Sequence, residues 1–62
     1  MRMRDIKKLH NEDEVTWKDP DGGKKVIKIL SISVSGEVVS ISGTYVPDGG
    51  YTEVECFARE LS

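Results

Sequence analysis

One cysteine, one histidine and no long apolar run narrow the options for this chain before any pattern is considered. The lone thiol, Cys56, excludes an intramolecular disulfide and fits a reducing compartment. The lone His10 lies beside Asn11 in a polar stretch, so neither a Ser-His-Asp nor a Cys-His constellation, nor a histidine-rich metal site, can be built within the chain. The expectation is therefore a protein that is not an enzyme and that carries no cofactor or metal. Met1 to His10 alternates basic and apolar residues and lacks the continuous apolar stretch of a signal peptide. No segment approaches the roughly 20 apolar residues of a membrane helix. A cytoplasmic protein with no membrane partner is expected.

Positive charge is scarce in the second half. Arg2, Arg4, Lys7 and Lys8 lie in the first ten residues, whereas Arg59 is the only base after Lys28, and the net charge is -2. Size is limiting as well. The 62 residues make one domain, 1–62. Folding at this size buries only about 60% of the surface that the unfolded chain exposes. A deep cleft is not expected. With charged residues at 32% the composition is that of a globular chain rather than a disordered one.

What the chain does have is alternation. From Lys28 to Ala58 it reads as three antiparallel strands joined by two turns. A two-residue turn at Ser35-Gly36 sets Ile32 opposite Val39 and Leu30 opposite Ile41. A turn over Pro47 to Gly50 sets Ile41 opposite Cys56, Val39 opposite Ala58 and Gly43 opposite Val54. Both turns place their apolar residues on one face, and a one-residue slip in either would send them to the other.

Ahead of this meander, Asp5 to Leu9 has Ile6 and Leu9 spaced as helix neighbours and predicts a short helical turn. It is too short to be stable alone and must dock on the sheet or remain loose. Glu14 to Asp19 alternates, with Val15 and Trp17 on one face, and predicts the first full strand. Asp19-Pro20-Asp21-Gly22-Gly23 stops it, with Gly22 expected to supply a positive φ. The next strand, Lys25 to Val34, changes phase within itself: Ile27 and Ile29 are apolar at odd positions, Leu30, Ile32 and Val34 at even ones. A bulge or bend near Lys28 to Leu30 reconciles the two halves and lets one strand serve two sheets. Leu61 offers a last apolar anchor after Arg59-Glu60, through a 3₁₀ turn and a short closing strand.

Few residues carry candidate chemistry. Asp19-x-Asp21-Gly22 has the opening of a calcium loop but lacks its third acidic position and its terminal bidentate Glu. Gly22-Gly23-Lys24-Lys25 lacks the spacing of a phosphate-binding loop. Glu53 and Glu55 share the outer face of their strand, where nothing desolvates them enough for acid-base work. The reverse side of the meander is more informative. Phe57 is out of phase with Val54 and Cys56, and is expected to project with Ile29 and Val38 among Ser31, Ser33, Ser40 and Ser42. Either Met3, Ile6 and Leu9, or Leu61, close this side as a minor core, or it is a docking surface with apolar anchors ringed by hydroxyl residues. Trp17 is core by its phase, or an anchor if the first strand lies at a barrel mouth.

Short strands, an Asp- and Gly-rich first loop, a long bent second strand and a terminal closure resemble the SH3-like small barrel. Asp13-Glu14-Val15-Thr16-Trp17, Asp19-Pro20-Asp21-Gly22 and Glu55-Cys56-Phe57-Ala58-Arg59-Glu60-Leu61 together resemble a group of small bacterial, plasmid and phage proteins of similar size. That resemblance spans most of the chain from Asp13 onward. It implies a mainly β fold, a small SH3-like barrel of four to five antiparallel strands with a short N-terminal helical turn, and implies no mechanism. The opening Asp-Glu-Val also resembles the KOW type of ribosome- and polymerase-associated barrels, which usually have Gly where this chain has Glu12. Two function classes follow. The first is a non-catalytic module binding a protein partner or a second copy of itself, through Ile29, Val38, Ser40, Phe57 and Trp17 or through the loop from Asp19 to Lys25. The alternative is a nucleic-acid-binding barrel, with Arg2, Arg4, Lys7, Lys8, Lys18, Lys24 and Lys25 against phosphate and Trp17 or Tyr45 stacking on bases.

Overall fold

In the computed structural model, which describes all 62 residues, the chain runs through α1 (Met3–Ile6), β1 (Glu14–Asp19), β2 (Gly23–Ser35), β3 (Val38–Val46) and β4 (Tyr51–Phe57). A 3₁₀ turn, Ala58–Glu60, follows. The strands form one antiparallel sheet in the order β1-β2-β3-β4, so the fold is mainly β. No helix is long and apolar enough to cross a membrane.

β1 has the bounds that its alternation predicts. The loop after it is closed by the Asp19 side chain, whose Oδ1 accepts from the Asp21 N–H at 2.9 Å. The positive φ expected at Gly22 falls instead on Gly23.

Both meander turns differ from expectation by two residues of register. The first is centred on Gly36-Glu37, with Ser35 and Val38 as the last pair, so Ile32 faces Ile41 and Val34 faces Val39. Gly36 has φ +60 while Glu37 is not among the positive-φ residues. A two-residue hairpin with positive φ at its first central position wants glycine there, which is why the turn starts at Gly36 instead of ending on it. In the second hairpin the four-residue loop lies one residue earlier than Pro47 to Gly50, and its closing pair is Tyr45 and Gly50, whose carbonyl accepts from the Tyr45 N–H at 2.9 Å. Ile41 therefore faces Val54, Val39 faces Cys56 and Gly43 faces Thr52. Because each displacement is an even number of residues, the face assignment of Val39, Ile41, Val54 and Cys56 survives, and all four are buried.

The change of phase in β2 is a β-bulge. Register shifts between Ile29, which pairs with Gly43, and Ser31, which pairs with Ser42, leaving Leu30 as the extra residue. One extra residue inverts parity, so Ile27 and Ile29 before it and Ile32 and Val34 after it all point to the same side. Two expectations are corrected by this. Leu30, expected in the core opposite Ile41, has no partner and is 47% exposed. Ile29, expected on the reverse face, is fully buried. The bulge also brings the Lys28 carbonyl against Gly43, where a Cβ would overlap that oxygen and stand 2.8 Å from Ile27 Cγ2.

The inner face of the sheet is covered by both ends of the chain. Ile6 and Leu61 join Val15, Ile27, Ile29, Val39, Ile41, Val54 and Cys56 in one buried cluster. The helical turn lies slightly earlier than Asp5 to Leu9, as four residues from Met3, and docking of Ile6 and the half-buried Leu9 supplies the stability that its length cannot. After the 3₁₀ turn, Leu61 bridges to Trp17, and Ser62 exchanges two backbone hydrogen bonds of 2.9 Å with Thr16. The Met1 nitrogen donates to the carbonyls of Ala58 and Leu61.

Candidate interaction surfaces

Pairing places the side chains of the outer face in rows: Ser35-Val38-Phe57, Ser33-Ser40-Glu55, Ser31-Ser42-Glu53, then Glu14-Lys28-Thr44-Tyr51. Beyond these Lys18 stands opposite Lys24. The face thus runs from apolar at the β2–β3 turn, through serine and glutamate, to the row Thr16-Val26-Val46, where Val46 is exposed, and then to the lysines beside the β1–β2 loop.

Of the residues expected at a docking surface, Val38, Ser40 and Phe57 do share the outer face, and Ile29 does not. Phe57 is 40% exposed because β4 parity turns it away from Cys56, with Met3 of the N-terminal segment only bordering the groove beside it. Of the expected cover, Ile6 and Leu61 are buried in the inner cluster with Leu9 packed against it, while Met3 packs against that cluster and also borders the Phe57 groove. Phe57 is held at both ends: its N–H donates to the Glu60 carboxylate at 2.8 Å, and the Arg59 guanidinium lies 4.7 Å from the ring centroid. An open groove of about 410 Å³ runs beside it, lined by Met3, Gly36, Glu37, Ala58 and Arg59. Directly behind Phe57, on the inner side of the same strand, Cys56 is 5% exposed. Burial pushes its thiol up to about 11, and the nearby Glu60 charge adds to the effect.

Trp17 is on the inner face, half-buried, and belongs to a different grouping. Lys25, its pairing partner in β2, places its ammonium 5.8 Å from the Trp17 ring centroid and 5.5 Å from that of Tyr45. The same ammonium is 3.5 Å from Asp19 Oδ2, and Tyr45 Oη accepts from the Thr52 hydroxyl at 3.0 Å. This cluster goes beyond what the alternation suggests, although its signal is in the sequence: with Asp19 and Gly23 as the last pair around the loop, Trp17 and Lys25 must fall opposite each other. Lys25 is therefore already engaged by two rings and a carboxylate, and its ammonium lies against both of the rings expected to stack on bases.

The other basic residues divide. Lys24 and Lys18 are exposed beside the β1–β2 loop. Arg2, Arg4, Lys7 and Lys8 are exposed around α1, whose Met3 lies against Gly36 and Glu37 at the opposite end of β2. His10 is exposed, and its backbone N–H donates to Asp13 Oδ2 at 2.8 Å. No family model matches this chain, and no curated protein or solved structure was found to be similar to it.

Proposed function

We propose that the chain is a non-catalytic interaction module, built as a small SH3-like barrel, that binds a protein partner through the outer face around Phe57. The observation that carries this reading is the exposure of Phe57 beside Val38 and the small Ser35, Ser33 and Ser40, in a molecule whose inward-facing Val39, Ile41, Val54 and Cys56 are all enclosed. An aromatic ring flush with short hydroxyl side chains gives a partner a shallow anchor without a pocket. The barrel reading draws on the bulged β2, on the 3₁₀ turn after β4, and on Ser62, which pairs with Thr16 on the edge of β1 that faces away from β2.

The nucleic-acid reading has less support, since the basic residues sit at two ends of β2 and Lys25 is tied to Asp19. Both readings meet one experiment. Association with proteins of a host lysate and with duplex or single-stranded nucleic acid is compared for the native chain and Phe57→Ser, each at low and high salt. The module reading expects a specific protein complex that Phe57→Ser abolishes while the variant still unfolds cooperatively. Salt-sensitive binding to nucleic acid, unchanged in Phe57→Ser, would replace it.

A further inference from the structure

A sheet of four strands has two outer edges, and backbone parity shows which groups on them are free. Tyr45 N–H bonds to Gly50 O, so the pairs that bond across β3 and β4 are those in phase with Tyr45 and Gly50: Gly43 with Thr52, Ile41 with Val54, Val39 with Cys56. The N–H and C=O groups of Tyr51, Glu53 and Glu55 therefore point away from the sheet. At Phe57 the N–H is already capped by Glu60. On β1 the corresponding central residue, Thr16, is paired with Ser62. In the half of β2 beyond the bulge, the same reasoning leaves only Ile32 and Val34 facing outward. β4 is thus the longest open edge of the molecule.

Its side chains say what fits there. Tyr51, Glu53 and Glu55 are all exposed and all on the outer face, with no basic residue opposite the two carboxylates, whose cross-strand partners are Ser42 and Ser40. A second copy adding antiparallel β4 to β4 in the register that bonds all three free residues, Tyr51 to Glu55 and Glu53 to Glu53, would set glutamate against glutamate, which is unfavourable. An incoming strand with Lys or Arg at alternate positions sets a cation directly opposite each carboxylate. We propose that the β4 edge takes an extended basic segment of a partner protein, added antiparallel, with its alternate Lys or Arg residues opposite Glu53 and Glu55. This rests on the reading of the chain as a protein-binding module and adds to it the chemistry of the partner.

The test uses a capped peptide alternating valine and lysine. In the proposed register the lysine N–H groups bond to β4 and the valine N–H groups face away. N-methylation of the lysine amides is expected to weaken binding by about tenfold or more, and N-methylation of the valine amides to change it little. Hydrogen exchange at Tyr51, Glu53 and Glu55 should slow on binding. Exchanging both carboxylates, Glu53→Lys with Glu55→Lys, should transfer the preference to a valine-glutamate peptide, again by about tenfold. Equal weakening by the two methylations, binding without protection of those three amides, or no binding at all would overturn the proposal. So would self-association that protects the same amides, which would put a second copy on the edge. Phe57→Ser leaves these free groups in place, so failure of docking at Phe57 and failure of strand addition are read separately.

Discussion

Trp17 and Phe57 stand at opposite ends of the sheet, and each has a cation over its ring, yet the two arrangements have opposite consequences. At Trp17 the cation is Lys25, held also by Tyr45 and by the Asp19 carboxylate, and the ring shares the inner face with Val15 and Ile27. At Phe57 the cation is Arg59 from the following turn, exposed and without an ion pair of its own. The same kind of interaction closes one end of the molecule and leaves the other open. An aromatic-cation pair is structural when a carboxylate and a second ring fix the cation, and remains available when solvent does.

The contrast can be broken at its root by Gly43→Ala. The two ends are held in one register by the bulge, and the added methyl would overlap the Lys28 carbonyl. A loss of about 3 kcal/mol or failure to fold is expected, read by denaturant unfolding. Trp17→Ala should cost about 2 to 3 kcal/mol in the same measurement, since a large half-buried ring is removed. Its indole N–H is enclosed without an acceptor, so Trp17→Phe should cost distinctly less. Lys25→Met keeps the packed stem and removes the charge over both rings; about 1 kcal/mol is expected, diminishing in high salt, with a shift in Trp17 fluorescence. Phe57→Ser should lower stability by about 1 kcal/mol, less than Trp17→Ala, because the ring is already partly in water. A cost equal to that of Trp17→Ala would erase the distinction.

One further effect is absent at neutral pH and sharpens the contrast between the two sides of β4. Below pH 9.0 the Cys56 thiol is protonated whether the chain is folded or not. Between there and about 11 the unfolded chain loses the proton while the folded chain keeps it, so stability falls as pH rises through that window. Replacement Cys56→Ala should remove that part of the slope. Thiol reagents should label native Cys56 slowly.

Sequence pattern alone leads a long way toward the sheet and less far toward its surfaces. The alternation of Glu14 to Asp19, the break in phase inside β2 and the outward turn of Phe57 all have direct counterparts in the structure. The side taken by Ile29 and Leu30 is not legible, because a phase change locates a bulge only to within a few residues, and each choice assigns its neighbours to different faces. What decides it is Gly43, the one position opposite that leaves room for the crowded Lys28 carbonyl. The turn at Gly36 is ambiguous for a local reason: Ser-Gly and Gly-Glu both make a two-residue loop, and only the positive φ of the first central residue separates them. The Phe57 surface is half legible. Its exposure follows from parity, whereas its freedom from cover depends on where α1 and Leu61 dock, which no periodicity in four or five residues can fix.

Glu12 gives an instructive departure. It has φ 77 and its N–H reaches the Ile29 carbonyl at 2.6 Å, so the left-handed conformation that glycine would adopt easily is imposed here on a glutamate by its partner.

Deleting Leu30 from β2 would leave the hydrophobic alternation unbroken, since Ile27, Ile29, Ile32 and Val34 would then follow one another at every second position. Such a shortened strand would be the more regular one and would lie flatter. The bulge in the strand whose inner face Ile6 and Leu61 help to cover is therefore a single surplus amino acid, not a fault in the greasy pattern around it.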